Sequence, residues 1–357
     1  MQLQLRESKS LVASLLLIAP FFLWGTAMVA MKGVIPHTTP LFMAGLRLLP
    51  AGVLILIAAA FMGRPQPKGW LAWLWIAIFA LVDGTLFQGF LAEGLVRTSA
   101  GLGSVMIDSQ PLAVALLSLW LFKEHIGVWG CLGLGLGVAG ISLIGLPEEW
   151  IFQILDSGVK ITTDNWQQLF ASGEWLMLLA ALSMAVGTVL IRYVCKYADP
   201  ITATGWHMIL AGLPLWGLSA TVEVEQWQNL VPSDWLALSY ATIFGSAIAY
   251  GLFFYFAQSG NLTSLSSLTF LTPVFALIFG HIFLSEVLTT IQWLGVFITL
   301  ISIYLINQRE TLAGQNNKVT ISEKAIPQQQ LVLEASTTKR LTTLTSSVRE
   351  SEPEASP

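Results

Sequence analysis

Arg47, Asp83 and Asp108 lie deep inside long apolar runs of this sequence. A charge surrounded by hydrocarbon is costly unless it is paired or hydrated, so each marks a candidate functional position. Arg47 follows Pro40 by seven residues, which places it roughly 10 Å inside a helix that rises about 1.5 Å per residue. Asp83 and Asp108 fall near the middles of the next two apolar runs. A guanidinium with one or both carboxylates could line a central polar cavity and recognise a carboxylate, an ammonium group or a zwitterion. The plainer alternative is an ion pair that ties helices together, although buried pairs are a poor device for stability.

Other polar groups share this apolar setting. His207 either completes the cavity from the second half of the chain or packs as a satisfied core histidine. Lys32 and Arg192 stand near helix ends, where long cationic side chains can snorkel. Anchoring suits Arg192, and for Lys32 gating or substrate attraction is a nearly equal option. Gln88, Gln110, Tyr250 and Gln258 offer hydrogen bonds at membrane depth, to substrate or to a neighbouring helix. The candidate substrate-binding set is therefore Arg47, Asp83, Asp108, Lys32, His207, Gln88, Gln110 and Tyr250. Glu124 and Glu286 each precede the last helix of a repeat and read as structural acids that accept from backbone N–H groups at a helix start.

No HExxH or GxSxG occurs, the four histidines are scattered, and no metal site, cofactor or nucleic-acid partner is expected. Gly133, Gly135, Gly137 and Gly140 resemble a nucleotide-binding glycine pattern only superficially, because no strand precedes them. Their GxxxG spacing predicts close contact with another helix, within the chain or across a homodimer. Asn261-Leu262-Thr263 matches a glycosylation sequon but falls on an expected cytoplasmic connection. Cys131 and Cys195 each sit alone in apolar surroundings and read as core residues.

These groups must be positioned by membrane helices. Of 357 residues, 55% are hydrophobic and 11% charged, whereas a soluble domain carries about 25% charged residues; that excludes a soluble protein. A spanning helix needs about 20 mostly apolar residues. Such runs occur at 11–33, 40–62, 70–91, 99–122, 126–146, 175–195, 200–222, 235–257, 262–284 and 289–306. The first continues too far, without a cleavage site, to be a signal peptide. The fold class is thus all-α integral membrane protein with about ten transmembrane helices. Residues 1–10 form a cytoplasmic N-terminus, 11–147 a first repeat, 148–173 an extracytoplasmic connection with an interfacial character, 174–307 a second repeat, and 308–357 a polar tail expected to be disordered.

Lys and Arg near helix ends set orientation. With a cytoplasmic N-terminus the inner segments hold Arg6, Lys9, Arg64, Lys68, Lys123, Arg192, Lys196 and Arg309, against Lys32, Arg97 and Lys160 outside. Both termini are expected in the cytoplasm of a multi-pass cell-membrane protein.

The halves repeat. At an offset of 160, Lys32 pairs with Arg192, Pro40 with Pro200, Gly45 with Gly205 and Arg47 with His207. At 162, Gly89 pairs with Gly251, Ser104 with Ser266, Pro111 with Pro273, Glu124 with Glu286 and Gly133 with Gly295. Five helices per repeat is an odd number, so the repeats are inverted, as in carriers whose site lies between the halves.

Phe22-Leu23-Trp24-Gly25, then Pro111 with Leu116 to Leu121 and Phe122-Lys123-Glu124 ahead of a Gly-rich run, resembles one EamA domain. Leu271-Thr272-Pro273 through Phe283-Leu284-Ser285-Glu286 and Trp293-Leu294-Gly295 resembles a second, in which Met184 to Thr188 replaces the Trp-Gly pair. Over 12–307 the chain resembles the EamA-type branch of the drug/metabolite transporter superfamily. The resemblance implies ten helices, both termini inside, and transport of small molecules such as amino acids, their derivatives or other metabolites. The function expected is a secondary transporter moving a small polar metabolite across the bilayer, an amino acid or related compound and by export, through alternating access. A sugar-phosphate or nucleotide-sugar exchanger trails, because phosphate recognition favours a larger cationic cluster than Arg47 and Lys32. An intramembrane enzyme using Asp83 and Asp108 is the rival of another class, and a channel the third.

Overall fold

A computed structural model of the chain describes residues 2–122, 127–146, 172–253, 268–269 and 271–308. Lys123, Glu124, most of the 148–173 connection, Gln258, the sequon at Asn261 and the tail beyond 308 lie outside the described residues, as does the side chain of Arg192.

Each of the ten apolar runs is helical over most of its described length, and no strand occurs among the described residues. The helices are α1 (Gln2–Val34), α2 (Pro40–Phe61) and α3 (Trp70–Arg97). The bent α4 follows in two segments (Ala100–Asp108 and Gln110–Phe122), then α5 (Val128–Gly145). The second repeat contributes α6 (Gly173–Val194), α7 (Pro200–Val222), α8 (Pro232–Phe253), α9 (Leu271–Leu284) and α10 (Thr290–Asn307). Five are individually long and apolar enough to cross a membrane: Leu15–His37 on α1, α2, α3, Gly173–Ile191 on α6, and α8.

Local chemistry sets the boundaries. α2 and α7 start on matching signals, Thr39-Pro40 and Asp199-Pro200, with the proline in the first turn where its missing N–H costs nothing. Asp199 accepts from the N–H groups of Ile201 and Thr202 at 3.0 and 3.2 Å. α4 breaks at Ser109 because Pro111 cannot donate to the helical ladder and crowds the preceding turn. Asp108 and Gln110 flank that break.

Packing is largely between repeats. α2 crosses α7, α5 crosses α10, α1 meets α9, and α6 meets α3 and α4. The α2–α7 crossing uses Gly45 and Gly52 against Gly205 and Gly212, the same two positions in each repeat. A Cβ on Gly52 would lie 2.6 Å from the Gly205 carbonyl oxygen, and one on Gly45 2.6 Å from Trp216. The glycines of α5 act likewise within the chain. Gly140 and Gly295 approach so closely that a Cβ on either would lie 2.8–2.9 Å from the other's carbonyl oxygen. Ser302 Oγ on α10 donates to the Gly133 carbonyl at 2.6 Å. Gly140→Val should therefore force α5 from α10 and lower stability by about 1–3 kcal/mol, the usual overpacking penalty. Thermal unfolding in detergent checks this; Gly135→Val, at a position with nothing nearby, should leave the midpoint unchanged.

Large apolar side chains such as Phe61, Trp70, Leu236 and Phe283 are exposed around the bundle, forming the surface a bilayer covers. The core expectation for both cysteines is overturned: Cys131 and Cys195 form no disulfide with each other and are exposed. In a bilayer the outer face of a helix is as apolar as its inner face, so apolar neighbours do not signal burial.

Candidate functional site

The site is centred on α3, whose winding changes midway. Ala80–Leu86 is π-helical, and at an offset of 161 residues so is Ala241–Ile248 in α8. In an α-helix Asp83 and Gln88, five residues apart, would be separated by about 140° around the axis. Widening the turn toward i→i+5 bonding brings residues five apart nearer to one face. Single-turn widening of this kind carries no signal in hydrophobic pattern, which is why the sequence does not disclose it. The widened turn of α3 packs on α6 and α7, and that of α8 on α1 and α2, so each reaches across to the opposite repeat.

Arg47 on α2 is 6% exposed and donates through its Nη2 to Gln88 Oε1. Its Nε is buried without a hydrogen-bond partner, and among the described residues no carboxylate lies within ion-pair distance of it. The ion pair of Arg47 with Asp83 or Asp108, the plainer of the two readings, is therefore not formed. Asp83 turns instead to His207, with Oδ2 3.4 Å from Nε2. His207 is 3% exposed, tilts over Phe79 at 4.4 Å between ring centroids, and places Nδ1 3.3 Å from the Thr204 carbonyl oxygen. Gly187 of α6 makes room for Asp83, since any Cβ there would meet Oδ1, and Gly84 makes room for the α7 surface beside His207.

Tyr250 of α8 closes the constellation. Arg47 and Asp83 both stand within electrostatic reach of its hydroxyl. Its ring meets Trp24 of α1 edge-on at 5.3 Å, and Trp24 also meets Phe253 at 5.3 Å. Trp24 Nε1 and Thr272 Oγ1 are buried polar atoms without a hydrogen-bond partner, and the Thr272 carbonyl lies beside Gly25. Arg47, Gln88, Asp83, His207 and Tyr250 are thus brought together from α2, α3, α7 and α8. Trp24 and Thr272 were missed as site residues; their only sequence signal was membership of the Phe22–Gly25 and Leu271–Pro273 motifs.

The remaining candidates lie elsewhere. Asp108 Oδ2 accepts from Ser104 of its own helix at 3.1 Å, and Gln110 donates to Thr188 of α6 at 2.6 Å. Asp83 and Asp108 hold separate partners, not each other. Lys32 donates to the carbonyls of Leu95 and Val96 at 2.7 and 3.3 Å, capping the C-terminal end of α3. Among the described residues no three His, Cys, Asp or Glu side chains group to hold a metal ion.

Two cavities, of about 510 and 620 Å³, open on the flanks of the bundle beside α8 and not at this cluster. Their linings, such as Phe22, Phe279 and Phe283 in one and Val53, Leu54 and Ile243 in the other, belong to the apolar surface.

The two ends of the bundle are tied differently. At the Lys32 end, Glu286 accepts from the N–H groups of Ala100 and Gly101 at 2.6 and 3.1 Å. Glu223 accepts from those of Leu41 and Phe42 at 2.9 and 3.0 Å and from Thr39 Oγ1 at 2.8 Å. Thr98 donates to Glu174 at 2.7 Å. Each bond joins one repeat to the other. The helix-start reading of Glu286 is right in chemistry and wrong in helix: α10 is capped by Thr289 with Gln292, and Glu286 caps α4. At the Arg64 end, Arg64 lies 3.4 Å from Asp199 and Trp206 Nε1 donates to Gln66 at 2.9 Å.

Comparison with known proteins supplies the family setting. Residues 11–146 and 171–308 each match the EamA-like transporter family. An uncharacterized transporter of Synechocystis sp. is 62% identical over 88% of this chain and 96% of its own length. A chloroplastic WAT1-related protein of Arabidopsis thaliana is 55% identical over 82% of this chain and 68% of its own. A crystal structure with 18% sequence identity superposes over 85% of this chain and 97% of that one with a TM-score of 0.56, a likeness of fold.

Proposed function

Since this chain belongs to the EamA-like transporter family over both of its repeats, we propose that it is a secondary carrier that exports a small polar metabolite, zwitterionic or anionic, by alternating access. The observation that carries this reading is Arg47: a guanidinium buried between the repeats, with no carboxylate partner among the described residues and with one donor unused. A purely structural arginine would be satisfied by a fixed acid, whereas one held by a neutral amide keeps its charge for an incoming carboxylate. Asp83, Tyr250 and Gln88 then offer partners for an ammonium or hydroxyl group. Lys32 is occupied by α3 carbonyls, which leaves Arg47 as the recognition cation and disfavours a phosphate substrate.

The excess of Lys and Arg at the Arg64 end supports cytoplasmic termini in the cell membrane, with the Lys32 end outside. On that orientation the ties made by Glu286, Glu223 and Glu174 close the external side. The test is an inventory of metabolites in cells and medium for a deletion strain with and without the restored protein. One zwitterionic or anionic metabolite should build up inside the deletion strain and reappear in the medium on restoration. A new product in place of a redistributed one would return the reading to an enzyme.

A further inference from the structure

We propose that Asp83 and His207 together form a one-proton site, and that this proton is the ion to which transport is coupled. The inference rests on the carrier reading for its role in transport, but proton binding itself does not depend on that reading.

The Thr204 carbonyl can only accept, so the His207 Nδ1 beside it at 3.3 Å carries the hydrogen. A neutral imidazole in that tautomer presents a bare Nε2 lone pair to Asp83 Oδ2 at 3.4 Å. Lone pair against carboxylate is repulsive, and one added proton makes the contact attractive, whichever of the two atoms carries it. The contact is not aligned as a hydrogen bond, and Nε2 counts among the buried polar atoms without a partner. The pair, with His207 buried and Asp83 partly buried, is therefore an acceptor for a single proton drawn from water and returned to it.

Its surroundings are specific. Tyr250 of α8 stands within electrostatic reach of Asp83, and Arg47 of α2 within reach of Tyr250 in turn. α6 meets the pair with the backbone of Gly187, α7 with Ala211 beside Gly84, and α3 with Phe79. Asp83 lies 13 residues from Trp70 and 14 from Arg97, so at about 1.5 Å per residue it is midway along its helix. It contacts His207 directly and stands within electrostatic reach of Tyr250, which Arg47 also reaches. A substrate carboxylate entering at Arg47 therefore acts on Asp83 through Tyr250, and the proton acts on it through His207, which is the physical basis for coupling.

Infrared difference spectroscopy across pH on the full chain in lipid nanodiscs tests the site directly. A carboxyl band is expected to titrate in wild type, to vanish in Asp83→Asn, and to shift its midpoint in His207→Gln, while the Asp108→Asn spectrum keeps it. Gly187→Ala, whose Cβ displaces Asp83 without altering its chemistry, should also shift the midpoint. Unchanged melting temperatures certify that the variants fold; if Asp83→Asn fails to fold, the His207→Gln and Gly187→Ala shifts decide the matter.

In vesicles held at zero membrane potential, a one-unit pH difference should drive about tenfold accumulation of the metabolite identified by the inventory. In Gly187→Ala the pH dependence of that accumulation should shift together with the band midpoint, and Asp83→Asn should abolish it. A band that persists in Asp83→Asn, or a midpoint indifferent to His207→Gln and Gly187→Ala, overturns the proton site. A titrating band with no metabolite movement leaves the site standing and overturns the carrier reading and, with it, the coupling role.

Discussion

Arg47→Ala should reduce initial transport rate by roughly 10- to 100-fold at equal membrane abundance, the loss expected when a charge-assisted hydrogen bond of about 1.5–3 kcal/mol to substrate is removed. Its melting temperature should hold or rise, because the substitution removes a buried charge that no acid among the described residues compensates. Arg47→Lys should recover only part of the rate, since an ammonium lacks the planar fork that engages a carboxylate through two parallel bonds. Radiolabelled uptake into proteoliposomes together with a thermal-shift measurement separates these outcomes. A variant that transports normally but unfolds early would make Arg47 a structural residue held by Gln88.

Glu286→Ala should open the Lys32 end. Glu286 makes two charge-assisted bonds to the first N–H groups of α4, where the partial positive charge of a helix N-terminus adds to the attraction. Losing them should shift the equilibrium between open and closed arrangements of that end by about 2–3 kcal/mol, one to two orders of magnitude. The local backbone supports this role. Ser285 has φ of 54°, left-handed for a residue with a side chain, and a Cβ on Gly280 would stand 2.5 Å from Glu286 Oε2. Strain held beside an inter-repeat contact is expected where an element has two arrangements. The check is labelling of Leu277→Cys, buried against Gly101, by a water-soluble thiol reagent in a chain with Cys131 and Cys195 replaced by serine. Faster labelling is expected in Glu286→Ala and, by displacement, in Gly280→Ala. Equal rates in all three chains would mean that Glu286 braces α4 without gating.

The repeat was legible because its repeated glycines, prolines and acids perform the same task twice. Gly45 with Gly205 and Gly52 with Gly212 mark a crossing that needs close backbone approach, Pro111 bends α4, and Pro40 with Pro200 starts equivalent helices. The placement of Arg47, Asp83, His207 and Gln88 at membrane depth followed from their positions along the apolar runs. Partner choice did not. A soluble helix shows its inner face by period, whereas these helices are apolar all round, so which charge faces which neighbour is set by crossing geometry. Asp83 therefore met His207 and not Arg47, and the widened turn of α3 that arranges this is a backbone feature without a composition of its own. Glu286 shows the same division: an acid for a helix start was readable, and the identity of the helix, more than 180 residues away in sequence, was not.

Counterflow of the metabolite named by the inventory tests the carrier claim most directly. Vesicles preloaded with unlabelled metabolite should take up the labelled form faster than empty vesicles, with a rate that saturates, and Arg47→Ala should show neither property. Uptake that rises linearly with concentration and ignores the preload would contradict alternating access through this site.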